Sequence, residues 1–390
     1  MENILVEAQA LFEYTRTLRR DFHQHPELGL KEFRTANIVA RELTDLGLEV
    51  HSGVGQTGVV GLIEGKAPGP VVLVRFDMDA LPIQEQTDAE YASLNPGVMH
   101  ACGHDGHVAI GLTVARLLYE NRNEFSGIVK LVFQPGEEGL GGAEKMIADG
   151  VLQDPKPDFA LSLHVWNEKP VGWVGIVPGP VMAAADTFTV KITGKGGHGA
   201  GPHLTIDPIV TASHVVTALQ TIISRNVNPL KTAVVTVASI HAGDAFNVIP
   251  ADVEMKGTLR TFDSDVRDLV IERFTEVVNN VSLALGCQAE IEIKSITPAV
   301  VNDPGVTARI QQVARSLLTA DTIDTQTTTM GAEDMAFILK DIPGCYFFIG
   351  SANVARHLDA PHHNAKFDFD ESILSKAAGL MVASTLEFLG

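Results

Sequence analysis

The chain has 390 residues, 45% of them hydrophobic and 20% charged, with a formal net charge of −19 at pH 7. This composition is that of a globular protein of roughly two or three domains, and its acidity argues against a nucleic-acid partner, which would need basic patches. Three cysteines fit a reducing compartment better than a disulfide framework, and without a signal-like N-terminus or an apolar run of about 20 residues we expect a cytoplasmic chain with no membrane partner.

The first 184 residues alternate between helical and strand-like patterns. Apolar residues at helical spacing predict helices at 2–22, 31–46, 108–119 and 143–148. Apolar runs of strand length predict strands at 49–51, 58–64, 71–76, 128–133 and 159–164. Such alternation is typical of an α/β layer in which helices flank a mostly parallel sheet.

The pattern changes near residue 185. The next elements are predicted, in order, as strand 188–192, helix 208–223, strands 233–240 and 252–260, helix 263–284 and strand 290–294. This βαββαβ order predicts a compact α+β domain. After Thr297 the α/β pattern returns, so we predict a discontinuous catalytic domain over 1–184 and 297–390, interrupted by an inserted domain over 185–296.

The segment MHACGHDGH, at 99–107, holds one thiol, three imidazoles and one carboxylate. Its two glycines disfavour a regular helix or strand, and in a turn Cys102 and His104 can both face one metal ion. Glu138 and His164 come after strands of the same layer, where open α/β sheets bind ligands. Zn, Mn, Co and Ni accept such mixed donors. We interpret the set as a metal site, against the alternative of a buried thiol and scattered surface histidines.

Carboxylates next to this set could support its chemistry. Glu137 and Glu138 are adjacent in a loop, so one can bind metal while the other acts as a general base. The alternative is a solvated acidic loop. Asp77 or Asp79, at the end of a strand, could orient a ligating histidine through its second N–H, or could cap a turn.

The inserted segment and the C-terminal region supply further candidates. His198, in a glycine-rich stretch, could stabilise an oxyanion, and Asn247 and Arg260 offer an amide and a guanidinium, which pairs with carboxylates. From the residues alone, a loop histidine, a turn asparagine and a surface arginine are the more ordinary interpretation. We expect one of His362 and His363 to bind metal and the other to be structural.

Together these stretches resemble peptidase family M20, the aminoacylase and carboxypeptidase family of dinuclear metallopeptidases, and within it the amidohydrolase branch. The resemblance rests on ordered motifs along the whole chain: FHQHPELGLKEFRTA, RFDMDALPIQE, MHACGHDGH, VFQPGEEGLGGA, LHVW, GKGGHGAGPH, DAFNVIPADVEMKGTLRTF, MGAEDMAFI and HHNAKFDFDE. It implies two divalent metal ions per chain, with Glu137 as the general base. The implied ligands are Cys102, His104, Glu138, His164 and His363. His100, Asp105 and His107 are then expected beside the ligands or at a helix start.

The resemblance also implies roles for the inserted segment. It matches a lid and dimerisation domain, so a homodimer is expected, with His198 reaching the partner subunit's site to bind the oxyanion. Asn247 and Arg260 match positions that hold the substrate, Arg260 at its carboxylate. Two departures leave the metal open among Mn, Zn, Co and Ni: Arg75 replaces the usual histidine of the His-x-Asp motif, and Cys102 stands where many members have a bridging aspartate.

The activity implied is hydrolysis of the amide bond of N-acyl amino acids, such as N-acetyl or N-benzoyl conjugates. A carboxypeptidase or dipeptidase, or a deacetylase of an N-acetylated diamino acid, shares the mechanism and is the alternative. An inactive metal-binding partner protein is the more remote alternative, because such proteins usually lack a ligand or the base, and here each expected position is filled.

Overall fold

The computed structural model describes residues 3–390, with Ala320 described by its backbone alone. Its α-helices are α1 (Ile4–Ala10), α2 (Phe12–Gln24), α3 (Phe33–Asp45), α4 (His104–Glu120), α5 (Gly142–Ala148), α6 (Pro208–Thr221), α7 (Ser264–Ala284), α8 (Pro304–Leu317), α9 (Met335–Asp341) and α10 (Ile373–Leu386). Its strands are β1 (Glu49–Val54), β2 (Gly58–Glu64), β3 (Val71–Asp77), β4 (Ile128–Gln134), β5 (Phe159–Pro170), β6 (Val174–Gly175), β7 (Gly179–Met182), β8 (Ala184–Thr193), β9 (Gly197–His198), β10 (Ala233–His241), β11 (Val248–Ile249), β12 (Asp252–Thr261), β13 (Gln288–Thr297), β14 (Val300–Asn302), β15 (Ile323–Asp324) and β16 (Gly344–Ala352).

The described residues divide into two compact units. The first takes those of Met1–Val181 with Val301–Thr328 and Asp334–Gly390, and the second takes Met182–Val300 with Thr329–Glu333. The short segment Thr329–Glu333 lies outside the inserted domain expected from the sequence. The role of that domain as lid or dimerisation domain stays a prediction.

The first unit is built on an eight-stranded sheet in the order β1-β2-β4-β3-β5-β16-β6-β15. The four central strands, β4, β3, β5 and β16, are parallel to one another. Helix α4 is buried along nearly its whole length, and Gly111 allows it close to the sheet, since a Cβ there would lie 2.7 Å from the rings of Phe76 and Phe133. The predicted α/β class with a mostly parallel sheet is confirmed.

The second unit is a four-stranded antiparallel sheet, in the order β10-β12-β8-β13, with α6 and α7 packed on it. Its core includes Phe188 of β8 and Phe274 of α7, whose ring centroids are 4.5 Å apart. Asp207 caps α6 by accepting a hydrogen bond from the backbone N–H of Ile209 at 2.9 Å. The predicted βαββαβ element order is the one observed.

Two local predictions differ from the structure. The single helix expected at 2–22 is two helices separated at Leu11, where the backbone leaves the helical region; Glu2 lies outside the described residues. The expectation that the glycines disfavour a helix at 99–107 is wrong for 104–107, because α4 begins at His104. Among residues 3–390, no helix is both long and apolar enough to cross a membrane.

Candidate metal centre

The candidate ligands collect at one edge of the central sheet. Strands β3 and β4 are parallel and in register, with Asp77 opposite Gln134 at their carboxyl ends, and parallel β5 carries His164. Glu137 and Glu138 follow the end of β4 directly. Because parallel strands end at the same edge of a sheet, the topology alone brings these residues together.

The turn before α4 places Cys102 and His104 at this edge. Gly103 has a φ of 88°, in the left-handed region, and a Cβ there would lie 2.3 Å from a methyl carbon of Val165. Only glycine satisfies both conditions. The turn is held beside the C-terminal loop because the backbone N–H of His363 donates to the carbonyl of Ala101 at 2.8 Å.

Five predicted ligands and the predicted base form overlapping groups of donors. Donor atoms lie within 4.8 Å of one another in three of these groups: Cys102 with His104 and His164, Cys102 with Glu138 and His363, and His104 with Glu137 and Glu138. Sγ of Cys102 is 3.5 Å from Nε2 of His164, and Nε2 of His363 is 3.2 Å from Oε1 of Glu138. The structure therefore brings all six together within the first unit.

The imidazoles are oriented as metal ligands would be. Nδ1 of His104 is 2.9 Å from the backbone carbonyl of Asp79, and Nδ1 of His164 faces the carbonyl of Val165. A carbonyl only accepts hydrogen bonds, so each Nδ1 carries a proton, and Nε2 is the nitrogen that can present a lone pair to a metal. Nε2 of His104 is buried without a hydrogen-bond partner. A thiol, two carboxylates and three imidazoles around such an atom fit one or two divalent transition-metal ions.

Two of these groups would lose protons to a bound cation. Burial, followed by the charge of Glu138, raises the pKa of the Cys102 thiol. Hydrogen bonds to Cys102 and Glu138 raise the pKa of His363 to about 10. Metal ligation requires a thiolate and a neutral imidazole, so binding at this site would be accompanied by proton release.

Asp79 contacts two of the predicted ligands. Its Oδ1 lies 3.2 Å from Nδ1 of His104, and its Oδ2 accepts a hydrogen bond from the backbone N–H of Glu138 at 3.0 Å. Oδ1 of Asp77, the other aspartate suggested by the sequence, lies 3.8 Å from Nε2 of His104, and its carboxylate also contacts His107 at 2.6 Å and Arg75 at 2.7 Å. The supporting role expected of Asp77 or Asp79 stays a prediction.

His107 is close to the ligands but has both ring nitrogens engaged. Its Nδ1 contacts Asp77, and its Nε2 accepts a hydrogen bond from the backbone N–H of Val165 at 2.9 Å. Its ring packs edge-on against that of His164, with centroids 4.5 Å apart. His107 therefore links the ends of β3 and β5 and has no lone pair left for a metal.

The two adjacent C-terminal histidines have different surroundings. His362 donates through Nε2 to the carbonyl of Val165 at 3.0 Å and packs against Trp166 and Phe367. Burial lowers the pKa of His362 to about 4. His363 has a φ of 62°, which directs its side chain towards Glu138. The geometry gives His362 a packing role and leaves His363 as the candidate ligand.

Arg75 is fully buried beside the ligands. Its guanidinium donates to Asp77 at 2.7 Å, to the side-chain oxygen of Gln134 at 2.9 Å and to Asp334 at 3.0 Å. Asp334 also accepts a hydrogen bond from the side chain of Gln134 at 2.7 Å. Arg75, which stands in place of the usual histidine of the His-x-Asp motif, therefore supports the ends of β3 and β4.

The remaining candidates belong to the second unit. His198 is exposed on β9, and its Nδ1 accepts a hydrogen bond from the backbone N–H of Ala200 at 3.0 Å. Asn247 lies beside it, since its carbonyl accepts from the N–H of Gly199 at 2.8 Å. Arg260 is half-buried in the four-stranded sheet, where burial lowers its pKa. The structure thus brings His198 and Asn247 together and places Arg260 in another part of the unit.

Comparison with known proteins decides the family. The model of the family described as "Peptidase family M20/M25/M40" matches residues 73–386. The chain belongs to this peptidase family. N-acetyl-L-cysteine deacetylase of Bacillus subtilis is 42% identical over 372 residues, covering 95% of this chain and 87% of that protein. Thermostable carboxypeptidase 1 of Saccharolobus solfataricus is 39% identical over 382 residues, covering 97% of this chain and 96% of that protein.

A solved structure agrees with the assignment to M20. A dinuclear metal binding peptidase of the M20 family from Bacillus subtilis superimposes with a TM-score of 0.84 at 33% identity, covering 97% of this chain and 99% of that chain. The predicted family is confirmed, as is the prediction of a metal-dependent amidohydrolase or peptidase of that family. The roles of individual residues stay predictions, now with a geometry on which they can be argued.

Proposed function

We propose that this M20 chain hydrolyses the amide bond of small N-acyl amino acids, such as N-acetyl or N-benzoyl conjugates. The observation that carries the proposal is the convergence of the predicted base on the predicted ligands: donor atoms of Glu137, Glu138 and His104 lie within 4.8 Å of one another. A relative that deacetylates an N-acetyl amino acid, judged by its name, supports the substrate class.

The metal centre of the proposal consists of Cys102, His104, Glu138, His164 and His363. Two divalent ions, Mn, Zn, Co or Ni, would supply Lewis-acid polarisation of the scissile carbonyl and ease the ionisation of water. The mixture of thiol, imidazole and carboxylate suits each of these metals.

Glu137 moves the proton. It is adjacent to Glu138, whose backbone N–H is held by Asp79, and the positive φ of Gly136 begins the turn that presents both carboxylates. Glu137 would take a proton from the attacking water and return it to the nitrogen of the leaving amine. Such proton transfer contributes about 10²–10⁴-fold to hydrolysis.

The second unit supplies the groups that hold the substrate. Because Nδ1 of His198 accepts a backbone N–H, its Nε2 carries a proton in the neutral ring and can donate to an oxyanion. Asn247 lies beside it, and Arg260 is the proposed partner of the substrate carboxylate. We propose that His198 acts in the site of a partner subunit in a homodimer, which several exposed apolar side chains of this unit support: Leu230, Ile240, Phe246 and Val248.

Replacing the base tests the mechanism. Glu137→Gln should keep the metal content of the wild type and lose at least about 100-fold in kcat, because the amide cannot accept the proton. Glu138→Gln, the matched variant one residue away, should lose metal as well as activity. Full turnover by a metal-loaded Glu137→Gln protein would refute the assigned base.

Trans action by His198 has its own test. A mixture of His198→Ala subunits with Glu137→Gln subunits should regain part of the wild-type activity, because a mixed dimer contains one complete site. A mixture with no more activity than the two separate variants would show that His198 acts within its own chain, or not at all.

A carboxypeptidase or dipeptidase is the second candidate, favoured by the relative named as a carboxypeptidase. A deacetylase of N-acetylated diamino acids is another form of the same chemistry. A panel of N-acetyl, N-benzoyl, N-acetyl-diamino-acid and dipeptide substrates separates them by kcat/KM. An inactive metal-binding protein would hydrolyse none of them after metal addition. We further propose a cytoplasmic location, in keeping with three free cysteines.

A further inference from the structure

Arg19, on α2, is a cation with no exposure to solvent in the first unit. Its Nε donates to Oδ2 of Asp105 at 2.8 Å, and its Nη2 donates to Oδ1 of Asp368 at 2.7 Å. A longer contact of 3.3 Å joins Nη1 to Glu371. A buried charge is tolerated only when it is paired and hydrogen-bonded. The carboxylates therefore fix the guanidinium, and the guanidinium fixes them.

The two carboxylates at short distance belong to the two segments that carry candidate ligands. Asp105 follows His104 in the first turn of α4. Asp368 lies in the segment that leads from His363 to α10. Arg19 lies on neither segment and contacts neither ligand. Because it binds one carboxylate of each segment, Arg19 sets the separation between the turn before α4 and the C-terminal loop.

Aromatic packing makes the same connection. The guanidinium of Arg19 lies 4.8 Å from the ring centroid of Tyr91 and 4.4 Å from that of Phe369. The Tyr91 hydroxyl donates to Oδ2 of Asp368 at 2.7 Å. Gly106 of α4 admits the Phe369 ring, because a Cβ there would lie 2.7 Å from it. A shift of the guanidinium would move the packing of both segments.

The loop around residue 85 adds a second link between them. Nδ1 of His23 contacts Oδ2 of Asp105 at 2.8 Å, and its Nε2 lies 3.2 Å from Oε1 of Glu85. The next residue, Gln86, donates its backbone N–H to the carbonyl of Ala365 at 2.7 Å. The first turn of α4 and the C-terminal loop are thus joined at two places, through Arg19 and through the loop around residue 85.

We propose that Arg19 is a positioning residue for the metal centre, acting through Asp105 and Asp368 to hold His104 and His363 at the separation that ligation requires. The inference rests on the proposed metal centre, in which Arg19 has no assigned role. A guanidinium is a planar fork that spans two carboxylates, whereas a lysine ammonium is a single point charge. Arg19→Lys therefore keeps the charge and loses the fixed separation.

The chain offers a matched control in the next residue. Arg20 is partly exposed, and its guanidinium contacts only Glu371 among the carboxylates for which a salt bridge is described. Arg20→Lys makes the same change of side chain on the same helix without touching Asp105 or Asp368. Comparing the two variants separates the position of the cation from the loss of an arginine.

The experiment measures metal affinity as well as activity. Wild type, Arg19→Lys and Arg20→Lys, purified as holoprotein, are titrated with a chromogenic chelator to obtain the Zn²⁺ dissociation constants. Tryptophan fluorescence monitors folding. We expect Arg19→Lys to bind Zn²⁺ about tenfold or more weakly, the size of effect seen when a partner of a ligand is removed, and Arg20→Lys to stay within about threefold. The Co²⁺ absorption spectrum should shift only in Arg19→Lys, which a purely structural role would not cause.

Each outcome decides the question. A folded Arg19→Lys protein with wild-type Zn²⁺ affinity and an unchanged Co²⁺ spectrum overturns the inference and leaves the metal centre in place. A wild type that binds none of Zn²⁺, Mn²⁺, Co²⁺ and Ni²⁺ overturns the metal centre itself. If Arg19→Lys does not fold, Tyr91→Phe is decisive, because it removes one hydrogen bond to Asp368 and leaves the arginine. It should weaken Zn²⁺ binding by at least about threefold, and an unchanged affinity would contradict the proposal.

Discussion

The buried pair His23–Asp105 makes the stability of the first unit depend on pH. His23 is 1% exposed, with Nδ1 at 2.8 Å from Asp105 and Nε2 at 3.2 Å from Glu85. Burial by itself would lower the pKa of this imidazole, but the Asp105 and Glu85 carboxylates together outweigh burial and raise the pKa to about 9 from an ordinary 6.5. The native state therefore holds a proton that the unfolded chain releases.

The sign and size of the effect follow from linkage. The difference between 6.5 and about 9 corresponds to about 3 kcal/mol of unfolding free energy. This contribution is fully present below pH 6.5, decreases as the pH rises towards 9, and is lost above it. His23→Gln cannot gain the proton. The difference in unfolding free energy between wild type and variant should therefore shrink by about 3 kcal/mol between pH 6 and pH 10.

Urea unfolding followed by tryptophan fluorescence measures this difference for the first unit, which contains His23. Both tryptophans, Trp166 and Trp173, belong to the first unit. His25→Gln, on the same segment but with a partly exposed ring, controls for the removal of an imidazole. A difference between wild type and His23→Gln that stays constant from pH 6 to pH 10 would refute the reasoning.

Three further predictions concern the two C-terminal histidines, the turn at Gly103 and a buried lysine of β4. His363→Ala should lower the metal content measured by elemental analysis. His362→Ala should keep the metal but lower the midpoint of thermal unfolding, because it loses a half-buried ring that packs on Trp166 and Phe367; equal metal content in both variants would contradict the assignment. Gly103→Ala should cost more than about 2 kcal/mol of unfolding free energy, from left-handed strain and a clash, and a wild-type urea midpoint would argue against it. Lys130→Met should cost about 3 kcal/mol in the same assay, because the buried Nζ donates to three backbone carbonyls.

The sequence was enough to predict the candidate site at positions where the residue type has few chemical roles. Cys102 and His104 stand in a short motif before a predicted helix, Glu137 and Glu138 follow a predicted strand, and parallel strands share one edge. Strand order did not have to be known for that inference. The start of α4 was predicted wrongly because Gly103 and Gly106 by themselves argue against a helix. In the structure, Gly103 ends the turn before the helix, and Gly106 allows close packing inside it.

Residues that act through distant partners were not predictable in the same way. Arg19 lies on an N-terminal helix, and its partners, Asp105 and Asp368, are 86 and 349 positions away along the chain. Local patterns show Arg19 as one cation among several on an amphipathic helix. Only the packing of α2 against α4 and the C-terminal loop distinguishes it from Arg20, which stands next to it in sequence.

The peptide groups of Val165 explain why the residues alone, without the family resemblance, do not separate His107, His164 and His362. Its N–H donates to Nε2 of His107, and its carbonyl faces Nδ1 of His164 and accepts from Nε2 of His362. These backbone contacts engage Nε2 of His107, whose Nδ1 contacts Asp77, and the donor nitrogen of His362, and they leave Nε2 of His164 directed at Cys102. A valine in a buried strand carries no sequence signal for this task, because its side chain takes no part in it. Which of these three imidazoles is available to a metal therefore depends in large part on the main chain of β5.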